Sequence, residues 1–381
     1  MKHIHLYWDD LKTRIKATVF STEDSVSEIH SILQITDTRL DAKVQFLNIQ
    51  TAIQRIALSN VFDRANLIWK RFFVSDVANQ FSYINDDSNT ISSIVQQPPL
   101  NGTKVAVWLY FTSGDSSIKK EGNTLAVQRH GGHIHLYTTQ LNIPLKNEYA
   151  ETQYIFNSYI DILHQYQSSL KENCIRTWIF VQGVDIHYKD MVKARVACFD
   201  NERLNKETHY IASTGIEGRH IHPHSLVSMD AYAIEGIKQE QIKYLYAPTH
   251  LNRTHNYGVT FERGTSVDFA ERRHVYISGT ASINNKGEIE HPFDVMKQLD
   301  RTLENVTTLL SEAECTITDI VQMIIYLRDT ADYALVKSFF DKNFTNTPKI
   351  IVLAPVCRIG WLIEIECIAI KSIKNNIFPC F

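Results

Sequence analysis

Four residues in the last part of the chain could transfer protons and bind an anion. Cys357 and Arg358 precede an apolar stretch that contains Glu364 and Glu366. Alternate residues of a strand share a face, so the two glutamates point the same way among aliphatic side chains. Burial and the neighbouring carboxylate would both raise the pKa of Glu364. Glu364 is therefore a candidate general acid, and Glu366 is its coupled neighbour.

Other residues of the same region could hold an anionic substrate. Arg263, Arg328 and Arg358 are candidates because a guanidinium can grip a carboxylate with two hydrogen bonds. Gly279-Thr280-Ala281 ends a predicted strand, where small residues let a ligand come close and backbone N–H groups can bind its charge.

Each assignment has a structural alternative. The glutamates could pair with basic residues between units, and each arginine could form a surface or interface ion pair. Free cysteines are more often small buried hydrophobes, and the run of small residues also fits a plain tight turn.

The composition limits the class of protein. With 39 Lys and Arg against 42 Asp and Glu, the net charge is −3, so no nucleic-acid partner is predicted. No stretch of about 18 apolar residues occurs, and the start lacks the apolar run of a signal peptide, so neither a membrane span nor secretion is predicted. The six cysteines are scattered, which fits a reducing cytoplasm and argues against a zinc site.

Three histidines alternate in one short segment, at His220, His222 and His224. In extended backbone they could share a face and bind a metal, contact a ligand, or lie in a surface loop. No carboxylate or cysteine accompanies them in a ligand pattern, and Pro223 indicates a loop. We therefore predict neither a metal nor a cofactor.

Repeated signals predict three copies of one unit. Residues 3–7 recur identically at 133–137, and apolar residues at helical spacing follow within 46–56, 155–166 and 295–309. A strand, a shorter helix and two closing strands come next in each copy. The predicted units are 1–125, 126–242 and 243–381, each an α+β layer with helices on one sheet face. One irregular α/β enzyme with chance similarities is the alternative.

Phe73, Phe180 and Tyr326 can be set in register, and the last strands of the second and third units, residues 226–234 and 362–370, align with each other without gaps. Ser228 then stands where Glu364 does, and Asp230 where Glu366 does, whereas the first unit has no acid there. Three such units could form an intramolecular pseudo-trimer whose clefts are not equivalent.

The third unit resembles the RidA (YjgF) family. The segments that carry the resemblance are residues 276–283, 298–306, 326–329 and 364–369. Family members are usually single-unit trimers with clefts between subunits, so the resemblance implies this fold and a site at a unit junction. The deaminase branch, which acts on imines and enamines, has an arginine where Lys349 stands, and lysine cannot reproduce its bidentate grip.

A closer resemblance is to the chorismatases. Their pattern Cys-Arg-x-x-Leu-Leu-x-Glu-Ile-Glu is similar to the run from Cys357 to Glu366, and Phe261-Glu262-Arg263 and 279–282 resemble two more of their segments. Chorismatases release pyruvate from chorismate, a dianion with an enol ether whose cleavage can begin with protonation of the enolpyruvyl methylene. The resemblance implies Glu364 as the acid and Cys357 as the residue that goes with a hydroxybenzoate product.

The resemblance also implies a partner and a state. The partner is a small carboxylate-bearing substrate, which the arginines, the 279–281 segment and Phe261 would contact. The protein is expected in the cytoplasm as a monomeric pseudo-trimer or a homo-oligomer. A RidA-like deaminase and a non-catalytic small-molecule-binding protein are the alternative functions.

Overall fold

The computed structural model describes residues 1–22, 26–63, 65–84, 90–114 and 117–381, without the side chain of Tyr257. Three six-stranded mixed sheets divide these residues into three units. Each sheet is covered by helices, which confirms the predicted α+β class and the three tandem copies. None of the helices in these ranges is long and apolar enough to cross a membrane.

In its described residues the first unit has six strands and two α-helices. They are β1 (Lys2–Trp8), β2 (Thr13–Phe20), β3 (Glu28–Ile35), α1 (Ala42–Leu58), β4 (Asn66–Val74), α2 (Val77–Gln80), β5 (Ile91–Gln96) and β6 (Val105–Thr112). The second unit consists of β7 (Ser117–Glu121), β8 (Leu125–His130), β9 (His133–Asn142), α3 (Glu148–Gln165), α4 (Leu170–Asn173), β10 (Cys174–Val181), α5 (Val184–Asn201), β11 (Ala212–Glu217) and β12 (Val227–Glu235).

The third unit repeats the arrangement. Its elements are β13 (Ile242–Leu245), β14 (Gly264–Asp268), β15 (Arg272–Ala281), α6 (Val295–Glu312), β16 (Ile320–Leu327), α7 (Tyr333–Asn343), β17 (Lys349–Leu353) and β18 (Ile363–Ser372). The strand order is β1-β2-β3-β6-β4-β5 in the first sheet, and the corresponding strands of the other two sheets follow the same order.

The long helices form where the apolar spacing predicts them, and α6 shows why. Its Asp294 cap accepts a hydrogen bond from the Lys297 backbone N–H at 3.0 Å, which satisfies one of the free donors of the first turn. Its buried stripe includes Leu299, Val306 and Leu309. Burial of such a stripe against the sheet, more than helix propensity, stabilises a helix of this length.

Strand register confirms the predicted alignment of the units. Ser228 lies opposite Phe180, and Glu364 lies opposite Tyr326. In the first unit, Ala106 lies opposite Phe73. Ala106 therefore stands where Glu364 does, so the first unit has no acid at this place.

The identical pentapeptides do not mark equivalent positions, contrary to the sequence prediction. Residues 3–7 lie in β1, which pairs only with β2, whereas residues 133–137 lie in β9, between β8 and β12. The counterpart of β9 in the first unit is β3. Alternating residues suit either strand, because the period of two fixes the strand but not its place in a sheet.

One predicted unit boundary also differs from the sheet topology. β7 pairs with β8 from Ser117↔Arg129 to Glu121↔Leu125, so a boundary at residue 125 would divide a hairpin of the second sheet. The second sheet therefore begins by Ser117. The boundary near residue 242 coincides with the start of β13.

Buried ion pairs join every unit to both of the others. Glu366 of the third unit meets Arg176 of the second at 2.8 Å, and Asp230 of the second meets Arg71 of the first at 2.8 Å. Glu28 of the first unit meets Arg272 of the third at 2.7 Å. A pseudo-trimer would require contacts of this kind; that arrangement itself stays a prediction.

Candidate active site

A cavity of about 310 Å³ lies at the junction of the second and third units. The third unit supplies Glu364 from β18, Gly279 and Ala281 from β15, and Cys357 and Arg358 from the segment before β18. The cavity thus brings together the predicted acid, the predicted cysteine and part of the predicted anion-binding segment.

Glu364 is nine-tenths or more buried, yet its carboxyl has no hydrogen-bond or ion-pair partner among the described residues. Burial and, to a lesser degree, the like charge of Glu366 raise the pKa of Glu364 to about 8, against the smaller opposing effects of Arg176 and Arg263. The carboxyl is therefore protonated near neutral pH and faces a cavity. Such a group can donate a proton to a bound molecule.

Gly279 makes room for the acid. A Cβ at this position would overlap Oε1 of Glu364 and would come within 3.0 Å of Cγ2 of Thr214. The Gly279 backbone N–H donates to Thr214 Oγ1 at 2.9 Å, which fixes the strand end against the second unit. The small residue is required by the close approach of Glu364, which is the physical reason for the predicted run of small residues.

Glu366 lies behind the cavity and is fully engaged. It accepts hydrogen bonds from Arg176 Nη2 at 2.8 Å, Trp178 Nε1 at 2.9 Å and Thr214 Oγ1 at 2.5 Å. These partners satisfy the buried carboxyl oxygens of Glu366 and fix their position. Glu366 therefore acts on a bound molecule only through Glu364.

Two of the three predicted arginines line the cavity. Arg263 Nη2 donates to the Asn252 side chain at 3.0 Å, and Arg358 Nη1 donates to the Gly287 carbonyl at 3.0 Å. Arg358 also lies over the Trp361 ring, 5.4 Å from its centroid. These contacts hold both guanidinium groups at the cavity wall.

Arg328 does not line the cavity, in contrast to the sequence prediction. Its guanidinium forms a two-point ion pair with Asp185 of the second unit, at 2.8 and 3.0 Å, and donates to the Val356 carbonyl. Thr280 is also outside the cavity, because alternation along β15 turns it to the other sheet face, where its hydroxyl donates to the Ser278 carbonyl. Phe261 lines the cavity as predicted.

Cys357 lines the cavity as a neutral thiol. Burial, and secondarily the neighbouring Glu364 carboxyl, raises the pKa of Cys357 to about 12. A thiol with such a pKa is not a thiolate at neutral pH, so it lacks the usual activation of a nucleophilic cysteine.

The second unit supplies the opposite wall, with residues that the sequence analysis did not identify. Tyr188 and Arg195 project from α5, and Ser213 and Gly215 from β11. Arg195 is almost completely buried, and its Nε donates to Thr260 Oγ1 at 3.2 Å. Tyr188 and Arg195 are seven residues apart and thus share a helix face, which is a signal that the sequence contains.

The corresponding place between the first and second units is filled. Leu141 pairs with Met229, and Thr280 pairs with the equivalent residue Ile365. Gln140 and Gly279 directly precede Leu141 and Thr280, so they occupy equivalent places. The Gln140 side chain donates to the Ser92 carbonyl at 2.5 Å. A long side chain therefore occupies the space that Gly279 leaves open, and Ser228 replaces the acid.

The three alternating histidines have separate environments. His220 is buried, and its Nε2 lies 3.2 Å from both Gln140 Oε1 and Asn142 Nδ2. His222 and His224 are exposed. In the described ranges no group of three or more His, Cys, Asp or Glu residues is placed to hold a metal ion.

Comparisons with known proteins agree with the resemblance of the third unit. A family model described as Endoribonuclease L-PSP matches residues 266–371. A RutC family protein of Pyrococcus abyssi is 31% identical over 101 residues, which cover 26% of this chain and 79% of the relative. One from Saccharolobus solfataricus is 31% identical over 100 residues with the same coverage.

The similarity in three dimensions extends further. A crystal structure of a chorismatase matches 82% of this chain and 96% of its own, with a TM-score of 0.63 and 16% sequence identity. At that identity the match concerns the fold. The fold and the sequence matches together define a protein of the RidA superfamily. The chain belongs to the RutC family.

Proposed function

We propose that the protein is an enzyme that releases pyruvate from chorismate by protonating its enol ether, with a hydroxybenzoate as the second product. The observation that supports this most directly is Glu364, a buried carboxyl that keeps its proton to about pH 8 and faces a cavity. The cavity volume, about 310 Å³, is at the lower end of the range for small-molecule sites.

The cavity walls suit a small dianion. Arg263 and Arg358 come from the third unit and Arg195 from the second, so the cations surround the space between the units. Guanidinium groups held at a wall can bind carboxylates without large loss of side-chain freedom. The chorismate carboxylates would lie against these groups, with the enolpyruvyl methylene toward Glu364.

The proposed step balances without a cofactor. Glu364 gives its proton to the methylene carbon, which becomes the methyl group of pyruvate. The bond between the ring carbon and the ether oxygen breaks, and its electron pair stays on the oxygen that becomes the pyruvate ketone. The ring fragment loses a proton as it becomes aromatic, and that proton returns to Glu364.

Cys357 would act in the second half of this reaction. Its neutral thiol can donate a weak hydrogen bond or restrict the space near the ring, and both would favour one product of the ring cation. This role concerns the identity of the second product and not the release of pyruvate.

The deaminase alternative loses support from the register of the strands. Thr214 lies opposite Trp178, and Ile350 lies opposite Ile324, which is the counterpart of Trp178. Ser213 therefore stands in the Glu364 cavity where Lys349 stands in the third unit. The place of the deaminase arginine in this cavity is occupied by a serine, while Lys349 lines a different cavity.

The test is incubation of the purified chain with chorismate, with pyruvate measured by a coupled reductase and the second product by mass. We expect pyruvate in equal amount to a hydroxybenzoate. Glu364→Gln should abolish pyruvate release, and Glu240→Gln, which changes an exposed glutamate, should not. Absence of pyruvate at high enzyme concentration would rule the proposal out, even if the inactive Glu364→Gln variant bound a ligand with unchanged affinity.

A further inference from the structure

A second cavity, of about 300 Å³, lies between the first and third units. Strand β2 contributes Arg14 and Lys16, helix α7 contributes Lys337 and Asp341, and strand β17 contributes Lys349. Four cationic side chains and one carboxylate therefore line one cavity.

Strand register makes this cavity the counterpart of the Glu364 cavity. Lys16 pairs with Ile32, so the residue after Lys16 pairs with Ser31. Arg263 likewise precedes Gly264, which pairs with Ile277. Ser31 and Ile277 lie opposite the equivalent residues Leu109 and Cys367. Lys16 thus takes the place of Arg263.

The other wall corresponds as well. Lys349 and Ile351 take the places of Ser213 and Gly215, because Ile350 and Thr214 are equivalent. Ala106 takes the place of Glu364. The same topological site has therefore gained positive charge and lost the proton donor.

A single acid faces the four cations of this cavity. Lys349 Nζ donates to the Phe344 carbonyl at 2.7 Å, and Lys16 Nζ donates to the Thr345 carbonyl at 2.8 Å. Arg14 has no hydrogen bond or ion pair within the described part of the chain. Asp341 pairs with Lys337. Asp341 also acts electrostatically on Lys16 and Lys349, so the lining holds one carboxylate against four cations.

Lys349 is buried beside other cations, and this environment disfavours its charged form. Lys349 is 9% exposed, and burial, with a smaller effect of the neighbouring Lys16, lowers the pKa of Lys349 to about 8. Lys337 also lowers the pKa of Lys349, and Asp341 raises it. A bound anion would relieve the repulsion among these groups and would stabilise their charged forms.

We propose that this cavity is a binding site for a small anion with two or more carboxylate or phosphate groups, and that it performs no chemistry. Four cations and one carboxylate around one space match a multivalent anion better than a single charge. The replacement of the acid by Ala106 removes the group that the other cavity would use for proton transfer. This inference does not depend on the reaction proposed above.

The test is isothermal titration calorimetry with citrate and with pyrophosphate, at neutral pH and low salt. We expect saturable binding of at least one of them. Lys349→Met and Arg14→Gln should each weaken that binding about ten-fold or more. The matched control is Lys342→Met, which changes an exposed lysine of α7 outside the cavity, and it should bind as the wild type does.

A second control separates the two cavities. Arg358→Gln alters only the Glu364 cavity and should leave citrate and pyrophosphate binding unchanged. The proposal is overturned by no binding of either anion at millimolar concentration, by wild-type affinity in Arg14→Gln, or by an equal loss in Arg358→Gln or Lys342→Met. Arg14 is exposed, so Arg14→Gln decides the matter if Lys349→Met fails to fold.

Discussion

Glu364 and Glu366 point the same way from β18, yet among the described residues only Glu366 has ionic partners, Arg176 Nη2 at 2.8 Å and Arg71 Nη1 at 3.9 Å. The like charge of Glu366 acts with burial to raise the pKa of Glu364. Two residues of one type on one strand face thus have different surroundings, because the second unit offers hydrogen-bond partners to Glu366 and leaves the Glu364 carboxyl facing the cavity. This division suits an acid that must be neutral before it reacts.

The protonated form of Glu364 should set the upper pH limit of activity. Because the pKa of Glu364 is about 8, pyruvate release from chorismate should fall above that pH as the acid ionises. Initial rates measured across the pH range, with enzyme stability checked at each value, would show this. A rate that stays constant well above pH 8 would contradict a proton donor at Glu364.

Stability should depend on the same carboxyl. In the unfolded chain Glu364 ionises near 4.5, whereas the folded protein holds the proton to about pH 8. The Glu364 carboxyl therefore contributes stability that is fully present below pH 4.5 and is lost as the pH rises toward 8. Glu364→Gln does not titrate, so the free energy of unfolding of wild type minus that of the variant should decrease from pH 5 to pH 8.

Urea unfolding at several pH values measures that difference. The exposed Glu240→Gln serves as the control, and its difference from wild type should stay flat with pH. An equally flat difference for Glu364→Gln would show that the folded protein does not hold the Glu364 proton.

Gly279→Ala should disturb the acid directly. The added methyl would overlap Oε1 of Glu364, so the carboxyl must move, and a displacement near 1 Å can lower kcat about 10²-fold. Gly264→Ala is a matched control, since its added methyl would meet Leu245 and Ile277 but not Glu364. We expect both variants to lower the melting temperature and only Gly279→Ala to lower kcat strongly. Equal activities in the two variants would be evidence against the placement of Glu364.

Local patterns were sufficient for the units and their register. The apolar stripe of α6 and the gap-free match of Ser228 with Glu364 depend on neighbouring residues, and both are confirmed. The repeated pentapeptide misled because an alternating pattern fits an edge strand and a buried one equally. Only the pairing partners of β1 and β9 distinguish them, and those partners are distant in sequence.

The cavity was only half predictable for a similar reason. Cys357, Arg358 and Glu364 lie together in the chain, so their types and spacing pointed to one site. Arg195 lines the same cavity from the second unit. Arg328 lies outside the cavity because it forms an ion pair with Asp185 of the second unit. Contacts between units decide both cases, and no local spacing encodes them.

Cys357→Ala should separate the two products of the proposed reaction. The thiol is neutral, with a pKa of about 12, so pyruvate release does not need it as a nucleophile. We expect pyruvate to form at a similar rate while the hydroxybenzoate gives way to another ring product, detected by mass. Complete loss of pyruvate from a folded Cys357→Ala variant would show that the thiol takes part in the first step.

Glu366→Gln should move the pH profile as well as weaken the fold. The change removes the like charge that raises the pKa of Glu364 and leaves Arg176 without its carboxylate, and both effects lower that pKa. The fall in kcat should therefore begin at lower pH than in wild type. Loss of one partner of a buried pair should also cost about 3–5 kcal/mol of unfolding free energy.

Glu28→Gln provides the control for Glu366→Gln. Glu28 is a buried glutamate of the first unit that pairs with Arg272 of the third at 2.7 Å, so its loss should also destabilise the protein strongly. It does not line the Glu364 cavity, and the pH dependence of kcat should keep its wild-type position. A shift of similar size in both variants would mean that loosened packing, and not the charge of Glu366, controls the ionisation of Glu364.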